Sequence, residues 1–360
     1  VSVDETALDR LAGDLPADDH DDGVLREAGA TAVRRRLRPD RAEARRLLRA
    51  GQRRAVARGV TTVHDLVRRS AAPRAYRDMA RAGDLDLRVQ LYYWRDHLDA
   101  VEEVGLATNA GGQVQFGGIK TFVDGSVGAR SARLSAPYDD APDERGEWVV
   151  APDALDALAA RLDALDVRLS AHAVGDEAVD AVLDAYGSRA SERWRVEHAV
   201  LASDAAVERM ADADVVACVQ PNFHRWAGAG GLYERRLGDR RTETTRLRTL
   251  LDAGVDVAFG SDGMPMDPLV GVDHAVNAPT EAQRLDVTEA LRAYTLGGAR
   301  AGLAEDEVGT LAVGKRADLV VLAESPWGRP GSIAEIGVAG TLVGGEVVHA
   351  AASAPLARNA

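Results

Sequence analysis

The chain has 360 residues and a formal net charge of −13, from 57 acidic and 44 basic side chains. This balance argues against a nucleic-acid partner, because binding to phosphates needs a basic face. No apolar run approaches the roughly 18–20 residues that cross a bilayer, and no signal-peptide pattern opens the chain, so we predict a cytoplasmic protein with no membrane partner.

The lysine and cysteine content indicates the salt and redox conditions in which the protein works. Lys120 and Lys315 are the only lysines among the 44 basic residues, and an acidic, lysine-poor surface suits high salt, so we hypothesise a halophilic source. Cys218 is the single cysteine and cannot form an internal disulfide, which fits a reduced cytoplasm. Because it lies in the apolar run Val215–Val219, we predict that it is a core residue rather than a nucleophile.

The N-terminal part of the chain begins with polar sequence and continues into a helical pattern. Residues 1–25 are polar and acid-rich, which predicts a loop or a loosely packed terminus. A helix is predicted from about Asp40, because Asp40 and Glu43 have capping-box spacing ahead of an apolar helical pattern.

After this helix, short β-branched runs alternate with helical segments. Helices are predicted over Asp153–Leu165 and Asp176–Tyr186, the second with Asp176 as its N-terminal cap. The alternation predicts an α/β fold with a parallel sheet, and polar residues at the strand ends favour a barrel over an open doubly wound sheet. From Leu311–Leu322 and Gly340–His349 we predict strands of a small appended β-unit. The predicted strands of the sheet are Gly59–Leu66, Leu87–Trp94, Gly117–Val123, Val167–His172, Trp194–His198, Val215–Pro221 and Val255–Ser261.

Lys120 lies near the end of the third predicted strand. A lysine there can form an ion pair at the edge of the core, a Schiff base, or a carbamylated bridge between metal ions. Because arginine serves nearly everywhere else in this chain, a retained lysine indicates chemistry that the permanently protonated guanidinium cannot perform.

Three further residues follow strands of the predicted barrel. His172 and His198 end consecutive strands, so their imidazoles should converge at the barrel mouth, where histidine is a common metal ligand. Asp262 follows the last predicted strand; it can bind a metal ion or accept a proton, or it is simply a turn aspartate before Gly263. For His64, on the earliest predicted strand, we favour a structural or indirect role.

At these residues the chain resembles the amidohydrolase superfamily, in particular the N-substituted formamide deformylase-like (YtcJ-like) branch, amidohydrolase family 3. The resemblance implies a TIM-like (β/α)8 barrel with a small appended β-sandwich portion. The matching stretches, from about Val24 onward, are GVTTVHD, GGIKTFVDGSVGARSA, AHAVGDEAVD, RVEHA, FGSDGMPMDPL, AYTLGGA and GTLAVGKRADLVVL.

The resemblance also implies roles for individual residues. Lys120 would carry a carbamate between two divalent cations, His172 and His198 would be metal ligands, and Asp262 would bind metal and shuttle the proton. One or two ions are expected, most readily zinc, with manganese or iron accepted by the same N/O ligands. The implied residues on the substrate side are Asp124, Arg130 and, more weakly, His224.

The chain departs from the branch at its beginning. Members usually open with a barrel strand bearing His-x-His, which follows half of a small β-sandwich and precedes an inserted domain, yet these 360 residues contain no His-x-His. We expect a chain shortened at its N-terminus that lacks the first barrel strand; the alternative is a natural protein that has lost its more buried metal site. We predict that residues 1–55 are an acidic segment and helix remaining from the inserted domain, 56–305 the barrel, and 306–360 the C-terminal strands of the sandwich.

These features predict a metal-dependent hydrolase of C–N bonds in a small-molecule substrate, and a homodimer is the assembly that we would test for. One alternative is a catalytically degenerate scaffold with a binding or regulatory role. Another is a Schiff-base lyase, which would need an unmodified Lys120 with no metal beside it.

Overall fold

Seven parallel strands form the main sheet of the computed structural model, which describes residues 20–21, 24–25, 33, 36–68, 70–187, 189 and 193–352. Two short strands precede them, β1 (His20–Asp21) and β2 (Val24–Leu25), and pair antiparallel within the segment predicted as a loop. The strands of the main sheet are β3 (Thr62–Val67), β4 (Arg88–Trp94), β5 (Val114–Phe122), β6 (Leu169–Ala173), β7 (Arg195–His198), β8 (Val216–Val219) and β9 (Val257–Phe259).

The order of the strands in the sheet is their order in the chain, from β3 to β9. Each crossover contains at least one helix, as parallel pairing of neighbouring strands requires. The helices are α1 (Arg41–Val56), α2 (Ala72–Arg81), α3 (Leu98–Glu103), α4 (Pro152–Ala164), α5 (Asp176–Tyr186), α6 (Asp204–Asp212), α7 (Leu232–Leu237), α8 (Leu247–Asp252), α9 (Pro268–Val276), α10 (Val287–Arg292) and α11 (Gly298–Ala301).

The sheet curls, so that side chains from distant strands meet inside it. Arg195 on β7 lies 3.0 Å from the Nδ1 atom of His64 on β3. Among the described strands, β3 and β9 are the sheet edges, each with a sheet partner on one side. The predicted TIM-like barrel architecture is therefore confirmed, and all seven predicted strands are present in the described part of the chain.

Two helix starts test the predicted caps. Asp40 caps α1, because its carboxylate accepts a hydrogen bond of 2.8 Å from the Glu43 amide. Asp176, however, is the first residue of α5, and the cap position belongs to Gly175. The predicted cap role of Asp176 is wrong because its carboxylate accepts instead from the amide and hydroxyl of Ser135.

The core is built mainly from aliphatic and alanine side chains between the sheet and its helices. Leu155, Leu162 and Val179 are fully buried there, packed against the strands. Cys218 is also buried, in a small cluster with Val216, Ala258 and Ala301, and it is a free thiol. The predicted core position of this cysteine is confirmed.

A second, antiparallel sheet lies near the C-terminal end, in the order β10 (Leu319–Leu322), β11 (Val338–Val343) and β12 (Glu346–Ala350). The predicted run from Leu311 is too long, because a turn at Gly314 (φ 93°) interrupts it before β10 begins. An ion pair of 2.8 Å between Arg88 and Asp318 joins this sheet to the start of β4. No helix within the described ranges has both the length and the apolar character needed to cross a membrane.

Candidate metal centre

A cavity of about 530 Å³ lies at the carboxyl ends of the strands. Lys120, His172, His198 and Asp262 all line it, although four different strands bring them there. Convergence at this end is what parallel strands in a barrel produce. The remaining wall is largely apolar and aromatic, and it includes Trp94, Phe122, Val127, Phe223, Trp226 and Tyr233.

Lys120 lies on β5, paired in register with Trp94 on one side and Ser170 on the other. The residue is 1% exposed, and its Nζ atom is buried without a hydrogen-bond partner. Burial lowers the pKa of Lys120 to about 8, against the opposing effect of the Glu197 charge. The neutral amine, which is the nucleophilic form, is therefore reached at a lower pH than in an exposed lysine.

His172 lies on β6 and is held by a backbone carbonyl. Its Nε2 atom is 2.8 Å from the oxygen of Gly125. Because a carbonyl only accepts hydrogen bonds, Nε2 carries the proton and Nδ1 keeps its lone pair. The Nδ1 atom is buried with no protein partner, and burial lowers the pKa of His172 well below its usual value. The neutral imidazole is the form that binds metal ions.

His198 ends β7, directly beside His172. Alternation along a strand would turn Glu197 and His198 to opposite faces, but His198 has a positive φ of 76°, which breaks the extended run. The two imidazole centroids lie 4.5 Å apart as a result. The Nδ1 atom is 2.6 Å from Oε1 of Gln220, and burial lowers the pKa of His198 below its usual value.

Asp262 lies in a tight turn between Ser261 and Met264. The Met264 amide donates to the Ser261 carbonyl at 3.1 Å, and both central residues, Asp262 and Gly263, have positive φ (49° and 70°). Positive φ at both positions is typical of a type I′ turn, which favours an Asp-Gly sequence. Asp262 is thus a turn aspartate that also lines the cavity, and its role toward a metal ion or a proton stays a prediction.

The side chains that converge on the cavity supply some, but not all, of the ligands that a divalent cation needs. His172 Nδ1 and the Nε2 of His198 are imidazole nitrogens that can present lone pairs, and such nitrogens suit zinc and other first-row ions. Within the described part of the chain, however, no three side chains of the His, Cys, Asp or Glu type are grouped so that they could hold one ion. A third ligand from the cavity-lining residues therefore requires either a movement of Asp262 toward the two histidines or a modified, anionic Lys120.

Asp124 does not line the cavity, although the resemblance implied substrate contact. It is fully buried, and it accepts hydrogen bonds from the amides of Arg133, Val174 and Gly175 at 2.9, 3.0 and 2.8 Å. Burial raises the pKa of Asp124 to about 7, and the three N–H donors oppose that rise. Asp124 thus ties the loop after β5 to the turn after β6, beside His172.

Arg130 and His224 also lie away from the cavity wall. Arg130 makes a bidentate ion pair with Asp140, with both N···O distances at 3.0 Å. The ring nitrogens of His224 face the carbonyls of Thr245 (3.1 Å) and His274 (3.3 Å). Both residues contact protein groups where the resemblance implied substrate contact.

A buried ion pair below the cavity was not predicted. Arg195 and Glu197 approach to 2.7 Å with both side chains 5% exposed, and Ser170 donates to Glu197 at 2.8 Å. Burial alone would raise the pKa of Glu197. The positive charges of Arg195 and Lys120 and the hydrogen bond from Ser170 outweigh it and lower the pKa to about 2. The spacing of two between Arg195 and Glu197 on a predicted strand is the signal that both point inward.

His64 lies next to this buried ion pair, in contact with Arg195. Burial and the Arg195 charge lower the pKa of His64 to about 3, so the neutral ring can accept from the Arg195 guanidinium. It is not one of the cavity-lining residues. This position agrees with the structural or indirect role that we favoured from the sequence.

Two curated proteins are similar to most of this chain. The chain is 31% identical to the putative amidohydrolase YtcJ of Bacillus subtilis over 78% of its own length and 55% of that protein. It is 28% identical to the N-substituted formamide deformylase of Arthrobacter pascens, over 84% of this chain and 60% of the relative. The chain therefore spans little more than half the length of these curated relatives.

Solved structures give the same relationship. An uncharacterized metal-dependent hydrolase from Pyrococcus furiosus superposes with a TM-score of 0.79 at 31% identity, covering 91% of this chain and 70% of that one. A model of the amidohydrolase family matches residues 1–349. The predicted branch is confirmed, and the chain belongs to the amidohydrolase family.

Proposed function

We propose that this chain carries the catalytic face of a metal-dependent hydrolase that cleaves a C–N bond in a small amide, formamide or cyclic amide. The observation that carries the proposal is the convergence of Lys120, His172, His198 and Asp262 on one cavity. Family membership supports hydrolysis as the reaction class. The name of the Arthrobacter relative makes N-substituted formamides the first substrates to test.

The metal would be held by His172 through Nδ1, by His198 through Nε2, and by Asp262, with Lys120 as a carbamate. The neutral amine of Lys120 adds to CO₂, forming an N–C bond and releasing one proton, which leaves an anionic ligand. Zinc is the proposed ion, with manganese and iron as alternatives. When bound, a divalent ion lowers the pKa of water from about 15.7 toward about 7 and polarises a substrate carbonyl.

Asp262 is the proposed proton carrier. Its exposed carboxylate lines the cavity on a hydrogen-bonded turn, so it can take a proton from the attacking water. As the new C–O bond forms, the same group delivers that proton to the departing nitrogen and the C–N bond breaks. The apolar and aromatic wall would hold the substituent of the substrate and limit the access of bulk water.

The test uses the full chain, with Zn²⁺ and bicarbonate supplied after treatment with a chelator. Formate or amine release is measured across N-substituted formamides, simple amides and cyclic amides. We expect zinc-dependent turnover that Asp262→Asn abolishes while bound zinc is retained. Asp212→Asn, which changes an exposed carboxylate at the end of α6, serves as the matched control. Full activity in Asp262→Asn would remove Asp262 from the mechanism.

One observation favours a second candidate, a non-catalytic scaffold. The described residues group no three ordinary metal-binding side chains around one point. A scaffold of this kind would bind zinc no more tightly than its His172→Ala and His198→Ala double variant, and it would hydrolyse none of the test compounds. Stoichiometric zinc that depends on both histidines would exclude this candidate.

A further inference from the structure

The segment Gln220-Pro221-Asn222 follows β8, between the strand that bears His198 and the strand that leads to Asp262. Gln220 is 5% exposed and Asn222 is 2% exposed. Neither is one of the cavity-lining residues, and the proposed reaction gives neither a role. Both amides nevertheless contact the groups on which that reaction depends.

Gln220 determines which nitrogen of His198 carries the proton. Its Nε2 atom lies 3.2 Å from the carbonyl of Cys218, which can only accept, so the amide nitrogen must face Cys218. The amide oxygen therefore faces Nδ1 of His198, at 2.6 Å. Because that oxygen only accepts, Nδ1 carries the proton and Nε2 keeps the lone pair.

Asn222 holds the turn that carries Asp262. Its Nδ2 atom donates to the carbonyls of Ser261 and Met264, at 3.0 and 2.6 Å, on either side of the aspartate. The Oδ1 atom of Asn222 is buried with no hydrogen-bond partner. A buried acceptor without a partner is unfavourable, so the two hydrogen bonds that Asn222 donates are what this residue contributes to the fold.

We propose that Gln220 and Asn222 are positioning residues, one fixing the tautomer of His198 and the other the placement of Asp262. The single segment after β8 thus sets the ligand atom on one neighbouring strand and the proton carrier on the other. The inference deepens the proposed function, on which its catalytic consequence rests. Its structural consequence stands on the hydrogen bonds alone.

The Gln220 half is tested by ¹⁵N NMR of histidine-labelled, metal-free full chain. We expect His198 in the Nδ1–H form in the wild type, and a shift to the Nε2–H form in Gln220→Leu, which removes the acceptor. Zinc affinity should fall by about 10–100-fold, the usual effect of losing an outer hydrogen-bond partner of a ligand. Gln283→Leu, a buried glutamine that donates to Thr244, is the matched control and should change neither quantity.

The Asn222 half is tested with Asn222→Asp, which sets carboxylate oxygens against two carbonyl oxygens. We expect faster hydrogen exchange at the Met264 amide and a kcat lower by about 10²-fold, since a misplacement of about 1 Å has that effect, with KM little changed. Asn277→Asp is the matched control, because Asn277 also donates to two carbonyls, those of Asp273 and Pro330. If Asn222→Asp does not fold, Asn222→Ser, which keeps one donor, replaces it.

These readouts separate this inference from the proposed function. A wild type without turnover would defeat the proposed function, while the tautomer of His198 and the exchange of Met264 would still test the positioning role. An unchanged tautomer in Gln220→Leu would overturn the Gln220 half. Loss of stability in the Asn222 variant, with wild-type exchange at Met264 and wild-type kcat, would reduce Asn222 to a structural residue.

Discussion

Replacement of Lys120 by methionine is expected to stabilise the metal-free chain. Burial lowers the pKa of Lys120 from 10.5 to about 8, and each pKa unit corresponds to 1.36 kcal/mol, so the charged amine destabilises the folded state by about 3 kcal/mol below pH 8. Methionine is flexible, unbranched and apolar. Because Nζ has no hydrogen-bond partner, the substitution breaks no bond.

The gain should depend on pH with a defined sign. Below pH 8 the lysine is charged in both states, so the folded wild type is destabilised in full. Between pH 8 and 10.5 the unfolded chain binds more protons than the folded chain, so wild-type stability rises with pH. Above pH 10.5 the amine is neutral in both states, and the advantage of Lys120→Met should vanish.

The assay is urea unfolding of both proteins at several pH values, in buffer free of metal and bicarbonate. Lys315→Met is the matched control for the other lysine; its amine donates to the carbonyls of Glu305 and Val308 and to the hydroxyl of Thr310, so its loss should destabilise. A Lys120→Met chain that is less stable than the wild type at pH 7 would refute the reasoning. So would a gain that stays constant up to pH 10.5.

Two further substitutions test the buried polar groups around the site. In urea unfolding, Asp124→Asn should lower the free energy of unfolding by about 2–4 kcal/mol, because an amide cannot accept from all three backbone N–H groups. The control is Asp40→Asn, which should change this free energy little, because asparagine caps a helix as well as aspartate does. Glu197→Gln should cost about 3–5 kcal/mol by leaving Arg195 buried without a counter-charge. Because the folded pKa of Glu197 is depressed, its stabilising contribution should be lost as pH falls from 4.5 to about 2, and a variant with the wild-type acid unfolding profile would contradict this.

The sequence predicted the fold well because each parallel strand is a short apolar run with its own helix. The seven strands occur within a few residues of the predicted bounds. The convergence of Lys120, His172, His198 and Asp262 was predictable for the same reason. Parallel strands end at one face, so residues that end them meet whatever their distance along the chain.

Contacts that depend on loop geometry were not predictable. The sequence around Asp124 contains no sign that three amides from two loops would point at its carboxylate. The positive φ of His198, which turns its ring toward His172, is likewise a property of the folded strand end. Gln220 and Asn222 give no signal in the sequence, because a side-chain amide acquires a role only through the partners that surround it.

The sequential strand order has a consequence for how the chain reaches its native state. Each strand pairs with the one made just before it, so the sheet can grow by one unit at a time as the polypeptide leaves the ribosome. The cavity cannot form in this stepwise manner, because Asp262 follows the last strand of the sheet. A metal ion present during synthesis would therefore encounter His172 and His198 before Asp262 has been made. Any stabilisation of the fold by metal binding would be complete only after the last strand of the main sheet has formed.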